Sequence, residues 1–356
     1  MRNYMVLVEL ILLVLICSCT GKANKSSKPV TTLEILPSAK SYHMGQPLTL
    51  HVKTKNAGKE LAKTEVYLND LLVLSGNQAE MTQEITGQGI LGVNTVRIVS
   101  ENHDGKAYTL LRNFTLLSDT EPLSCNYRVV KDYSHNNEHF TQGLEFHKGY
   151  LYEGTGENGK SALYRIDFPS GRISRSVKLD EQYFGEGITI LEDKIYQLTY
   201  KHRKGFIYNL SDFGVTDSFA FASQEGWGLT NDGNYLIMSD GTETLTWINP
   251  VDFSVVRRVQ VADHLKVYRY LNELEYDHGF IWANVWGTDL ILKIEASTGK
   301  VVAQLNLKGI LSVMDAHSSD RIDVLNGIAL MPGTGHLLVT GKLWPRMFEI
   351  ETGCSE

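Results

Sequence analysis

The chain is short of positive charge, of cysteine and of long unbroken apolar runs, and each shortage narrows what it can be. Lys and Arg number 34 against 41 Asp and Glu, a net charge of −7 with a pI near 5.9. A nucleic-acid backbone is therefore not an expected partner. The one sustained apolar stretch, VLVELILLVLICSC at residues 6–19, is interrupted by Glu9 and too short to span a bilayer comfortably, so it reads as a targeting leader. Of four cysteines, two fall in that leader, which leaves Cys125 and Cys354 for the folded part. Prolines are few (8), whereas glycine (31) and tyrosine (17) are abundant and 42% of residues are apolar. That balance suits a globular, strand-rich protein, and 356 residues suggest about two domains.

The leader starts with Arg2 and ends in Ile16-Cys17-Ser18-Cys19. Small Ser18 before Cys19 resembles a bacterial lipobox, in which Cys19 is acylated and becomes the new N-terminus; Cys17 follows bulky Ile16 and fits less well. Residues 1–18 are thus expected to be a lipoprotein signal peptide and 19–30 (TGKANKSSKP within it) a flexible tether. The expectation is an exported protein, lipid-anchored to a bacterial membrane on its periplasmic or cell-surface side. There a Cys125–Cys354 bridge could persist.

Residues 31–119 alternate in short runs (TLEIL, LTLHVKT, EVYLND, VNTVRIVS, YTLLRNFTLL) separated by turn signals. This predicts a small immunoglobulin-like β-sandwich with no catalytic constellation, followed by a hinge at TEPLS, 120–124.

Residues 125–354 repeat. Five segments align on a leading residue before an apolar run: QGLEFHKGYLYEG, EGITILEDKIYQL, WGLTNDGNYLIMS, NELEYDHGFIWAN and NGIALMPGTGHLLVT. The leading residues are Gln142, Glu186, Trp227, Asn272 and Asn326, separated by 44, 41, 45 and 54 positions. Each unit runs strand, turn, strand, and the first four continue through two further strands. Four strands per ~40–45 residues is the period of a β-propeller blade. The predicted fold is all-β: a five-bladed β-propeller preceded by the sandwich. CNYRVVKDYSH (125–135) would supply the outer strand that the last unit lacks, bringing Cys125 and Cys354 together as a clasp.

Equivalent positions at the start of the innermost strands converge on one rim of a propeller axis. The second strand of each hairpin returns to that rim about fourteen residues later, at Gly156, Tyr200, Gly241 and Trp286, with Lys342 two residues further on because its turn is longer. One acid (Glu186), one base (Lys342) and the amides Gln142, Asn272 and Asn326, between aromatic Tyr200, Trp227 and Trp286, describe a pocket for a small neutral-to-cationic group.

FTQGL (140–144), FGEGIT (184–189), GWGL (226–229), LNELEY (271–276), WANVW (282–286), DVLNGIA (323–329) and VTGKLWP (339–345) occur in order. Together they resemble the plant- and bacterial-type glutaminyl cyclases, the glutaminyl-peptide cyclotransferases, over residues 127–351. The resemblance implies a five-bladed propeller that converts N-terminal glutamine of peptides or proteins to pyroglutamate and releases ammonia. It implies Glu186 as acid/base with Asn272 and Lys342 as catalytic partners, and Phe140, Gln142, Trp227 and Trp286 as pocket residues. Where the family commonly has Trp after IYQL, this chain has Tyr200. No cofactor is expected for catalysis, a structural divalent ion on the axis opposite the pocket is compatible with the reading, and the protein is expected to be monomeric.

Two other classes stay open at this level. A metal-dependent propeller lactonase could use Glu186, Asn272 and Asn326, although one carboxylate is few for Ca²⁺ and Lys342 would repel the ion. A non-catalytic propeller that binds a partner is the other. A glycosidase would need two facing carboxylates, and the ring offers one. His135 and His139 in HNNEH read as a surface pair in a loop without a third ligand. DAHSSDRID (315–323) reads as a loop over the pocket mouth.

Overall fold

The computed structural model describes residues 28–55, 61–311 and 321–355. Cys19 and the leader, and residues 315–320 of the expected mouth loop, lie outside the described residues. Those that are described form 28 β-strands and no helix; no helix among them is long and apolar enough to cross a membrane.

The first part contains two sheets. One has three strands, in the order Val30–Leu36, Thr49–Lys55, Glu80–Glu84; the other has five, in the order Tyr42–His43, Ala107–Leu117, Gly92–Asn102, Leu61–Leu68, Leu71–Gly76. Alternation creates them: every second residue of Gly92–Asn102 is buried. Leu50 and Val52 of the first sheet share one core with Val66, Leu68, Val96, Ile98 and Phe114 of the second. The sequence pattern missed Leu71–Gly76 and Glu80–Glu84, whose residues are mostly exposed and so lack a clean two-residue rhythm.

The second part is built of four-stranded antiparallel units. Three are separate sheets, starting with Thr141–His147, Gly185–Leu191 and Leu229–Asn231. The last eight strands form one sheet made of two such halves, led by Leu271–Asp277 and Leu325–Leu330. The halves join where Leu123–Cys125 run parallel to Ala303–Leu305. Within each unit burial declines outward: Gly185–Leu191 is buried almost throughout, and the outer strand Val215–Ala220 almost nowhere. The five leading strands touch one another in a closed cycle, the one led by Gln142 against both the Glu186 and the Asn326 strands.

Strand Leu123–Ser134 pairs antiparallel with Arg346–Ser355, the last in the chain, and so provides the outer strand of the final unit. Cys125 lies directly opposite Cys354 and is disulfide-bonded to it, with Cα atoms 4.0 Å apart. One expectation is corrected here. TEPLS is not a free hinge, because Leu123 and Ser124 are paired with Ala303 and Gln304. Around it, Ser118 N–H donates to the Asp263 carbonyl (2.9 Å), Lys300 Nζ meets Asp119 (2.6 Å), and Leu91 and Leu117 pack on Ala262.

Candidate active site

The leading strands begin irregularly, and that irregularity builds the site. Pairing registers shift between Thr141 and Gly143, Gly185 and Ile188, Leu271 and Leu274, and Leu325 and Ile328. Gln142, Glu186, Asn272 and Asn326 fall inside these four breaks. A bulge turns a side chain away from the ordinary pleat, here at the inner end of four of the units.

The glycines around Glu186 are explained by close approach. A Cβ on Gly185 would stand 2.7 Å from the Thr155 carbonyl oxygen, and one on Gly187 would stand 2.6 Å from that of Trp227 and collide with the Leu229 amide nitrogen. The return strands are tied at matching places: Gly156 N–H donates to Phe140 O, Tyr200 to Phe184 O and Trp286 to Tyr270 O, at 2.8, 3.0 and 2.8 Å.

Phe140, Gln142, Phe184, Glu186, Tyr200, Trp227, Tyr270, Asn272, Trp286 and Lys342 line one cavity of about 320 Å³, a size suited to a small ligand. Trp227 and Trp286 meet edge to face with ring centroids 6.2 Å apart, and Phe140 and Phe184 do so at 5.9 Å. Trp286 and Tyr270, 45% and 52% exposed, form the rim, whereas Glu186 (5%), Gln142 (2%), Asn272 (2%) and Lys342 (4%) lie at the floor. Trp227 is held from outside the cavity by its Nε1–H donating to Glu225 Oε2 at 3.0 Å.

Electrostatics at the floor are unusual. Burial pushes the Glu186 carboxyl well above the ordinary range, against the pull of Lys342 and with a push from Glu225. Burial likewise lowers Lys342, opposed by Glu186 and Asp323. Neither group is spent on a protein partner: among the described residues Glu186 makes no side-chain hydrogen bond, and the Lys342 Nζ stands over the Phe140 ring, 4.8 Å from its centroid. Among the described residues, Asn272 Oδ1 is buried without a hydrogen-bond donor.

The structure thus brings Glu186, Lys342, Asn272, Phe140, Gln142, Tyr200, Trp227 and Trp286 together. It does not bring Asn326 to the cavity. Asn326 is fully buried beneath it, its Nδ2 donating to Thr141 O (3.0 Å) and Gln142 Oε1 (3.3 Å), which leaves the Gln142 amide nitrogen for the cavity. Phe184 and Tyr270 are wall residues that sequence reasoning overlooked. Both stand two residues before a leading position, the place Phe140 occupies in the first unit, and that register could have found them.

The sequence profile of the glutamine cyclotransferase family matches residues 102–352, from strand Ala107–Leu117 of the first part through the four-stranded units into Arg346–Ser355. The chain belongs to the glutamine cyclotransferase family. Its enzyme activity is accordingly that of a glutaminyl-peptide cyclotransferase. A glutaminyl-peptide cyclotransferase of Arabidopsis thaliana is 37% identical over 224 residues, 63% of this chain and 70% of the plant protein. The crystal structure of Myxococcus xanthus glutaminyl cyclase superposes with a TM-score of 0.61 at 32% identity, over 66% of this chain and 100% of that one. For this cyclotransferase the N-terminal sheets up to Glu101 stand outside the family match.

Proposed function

We propose that the cavity closes the N-terminal glutamine of a peptide or protein to pyroglutamate, with Glu186 as the single acid/base. The observation that carries this reading is a buried carboxylate that, among the described residues, makes no side-chain hydrogen bond and shares an aromatic bowl with a buried lysine.

The α-amine of the substrate attacks the Cδ of its own side-chain amide, and Trp227, Trp286, Tyr200 and Phe140 restrict the rotamers so that the two groups meet. A peptide α-amine titrates near ~7.7–8.0, so much of it arrives as ammonium. Asn272 Oδ1 and the Glu186 carboxylate accept from that ammonium. Glu186 takes one proton to free the amine lone pair for attack on Cδ and gives it to the amide nitrogen as the old C–N bond breaks; the second proton, shed by the ring nitrogen, leaves with the ammonia as ammonium. Acid/base help of this kind is worth ~10²–10⁴ in rate. Lys342 and the Gln142 amide N–H stabilise the charge developing on the amide oxygen; a well-placed donor contributes about 3–4 kcal/mol. The aromatic walls keep out water, whose attack would yield glutamate.

Other parts of the reading follow. The closed cycle of leading strands supports a five-bladed propeller over 125–354, and the shared core of two sheets supports an immunoglobulin-like sandwich over 31–119. Residues 1–18 act as a signal peptide, and acylated Cys19, on the tether 19–30, holds the monomer to a membrane outside the cytoplasm; the Cys125–Cys354 bridge fits such an oxidising compartment. Catalysis needs no cofactor. Among the described residues Glu186 is the one carboxylate lining the cavity, which favours cyclisation over lactonase chemistry at a divalent ion.

The test is mass spectrometry of Gln-initiated peptides with varied second residues. Loss of ammonia that requires a free α-amine and persists in a chelator supports the reading; hydrolysis to glutamate, or turnover that a chelator abolishes, refutes it.

A further inference from the structure

A second cluster lies where the first and last four-stranded units meet. His135 follows strand Leu123–Ser134, His139 precedes Thr141–His147, and Glu153 is on Tyr150–Thr155. HNNEH is therefore not a surface pair: the side chains of His135, His139 and Glu153 are 1%, 6% and 0% exposed, and Glu153 is the third group that the linear sequence hid. His135 Nε2 is 3.0 Å from Glu153 Oε1, and His139 Nδ1 is 2.7 Å from Oε2. One ligand atom from each of the three lies within 4.8 Å of the others.

Hydrogen-bond accounting shows what the cluster lacks. His135 Nδ1 faces the Trp344 carbonyl at 2.7 Å and Thr340 Oγ1 at 3.3 Å. The Thr340 hydroxyl donates to Arg346 O, so both neighbours of Nδ1 are acceptors and Nδ1 carries the ring hydrogen. A neutral His135 then points the Nε2 lone pair at a carboxylate oxygen, which is repulsive unless a cation is shared there: a second ring proton or a metal ion. Glu153 Oε1 also accepts from Thr141 Oγ1 at 2.7 Å. A cavity of about 90 Å³ borders all three residues, room for roughly three waters at ~30 Å³ each.

We propose that His135, His139 and Glu153 form a structural site for one divalent transition-metal ion, with zinc the best match. Two imidazoles and a carboxylate, with water from the cavity in the fourth position, make a tetrahedral set. Ligand atoms ~2.0–2.1 Å from zinc stand roughly 3.3 Å apart. The two imidazole contacts, to different oxygens of Glu153, would open by tenths of an ångström, while wider ligand separations, up to 4.8 Å, would close toward that value. Oxygen-seeking Ca²⁺ or Mg²⁺ would find too few carboxylates. The Trp344 carbonyl, by fixing the His135 tautomer, is the outer partner that imidazole ligands use. The ion would join the outer strand of the last unit to the inner strands of the first. Its effect would reach the pocket mechanically, because His139 precedes Phe140 and its carbonyl accepts the N–H of Leu343, next to Lys342 (2.8 Å). This is a stabilising role, separate from the chemistry at Glu186.

The test uses the full chain, stripped with a chelator and titrated with Zn²⁺ by calorimetry and thermal melting, and with Co²⁺ by its visible d–d bands. One equivalent should bind, raise the Tm and give a tetrahedral Co²⁺ spectrum. His139→Ala and Glu153→Gln should each weaken binding at least ~10-fold, the scale seen even for outer-shell losses. No stoichiometric binding to the wild type, with an unchanged Tm, would overturn the proposal in favour of a proton shared in the cluster. Undiminished binding in both variants would overturn it too. If the variants fail to fold, X-ray absorption of the zinc-loaded wild type decides: a shell with two imidazoles supports the site, and a shell without them refutes it.

Discussion

The main-chain N–H of Gly187 donates to the carbonyl of Trp227 at 2.7 Å, so the residue after the acid is bonded to the neighbouring unit at the residue that forms the wall of the pocket. Glu186 and Trp227, forty-one positions apart, are thereby set at one fixed spacing.

That contact makes Gly187 irreplaceable. Gly187→Ala should lower stability by about 1–3 kcal/mol, because a Cβ there meets backbone atoms that have nowhere to move. Thermal melting checks the stability loss, and a rise in KM checks the displaced Trp227. An unchanged Tm would mean that the units are not packed this closely.

The Cys125–Cys354 bridge closes a loop of 229 residues and thus the whole cycle of units. Removing it with Cys354→Ser should cost about 2–5 kcal/mol. Denaturant unfolding in oxidising and reducing buffer should show the wild type falling to the level of the variant when reduced.

Glu145, further along the leading strand from Gln142, is partly buried, and burial raises its carboxyl to about 7 despite hydrogen bonds from Thr189 Oγ1 and the Ile190 amide. A carboxyl raised on folding is most favourable when protonated, below the unfolded value of 4.5, and its contribution is lost as pH climbs through 7. A span from 4.5 to about 7 corresponds to about 3 kcal/mol at 1.36 kcal/mol per unit. Glu145→Gln keeps the acceptor without the charge. Its Tm advantage over wild type should be absent near pH 4.5, grow through pH 5–7 and level off above; a constant difference would contradict the assignment.

Lys342→Met should reduce kcat by ~10²–10³, the usual loss on removing a donor to a developing oxyanion, while KM changes little. A variant affected only in KM would place the lysine in substrate binding instead.

The ring of leading residues was legible because the four-stranded units repeat their register in sequence. Gln142, Glu186, Trp227 and Asn272 could be aligned from one segment alone, and the return strands then placed Tyr200, Trp286 and Lys342. What escaped depended on side-chain direction or on contacts across the fold. Asn326 holds the same register, yet its bulge turns it beneath the floor to brace Gln142. Phe184 and Tyr270 reach the walls from the positions before the bulges. Glu153, in the YEG of the first hairpin, shows no hint of the two histidines that close on it from an adjoining loop.

The most direct measurement is ammonia release from a Gln-initiated peptide by Glu186→Gln, with the fold verified by circular dichroism. This substitution removes the proton acceptor while keeping the shape of the side chain. The account predicts a fall of at least ~10²–10⁴ in kcat. Release at the wild-type rate from a folded variant would contradict it.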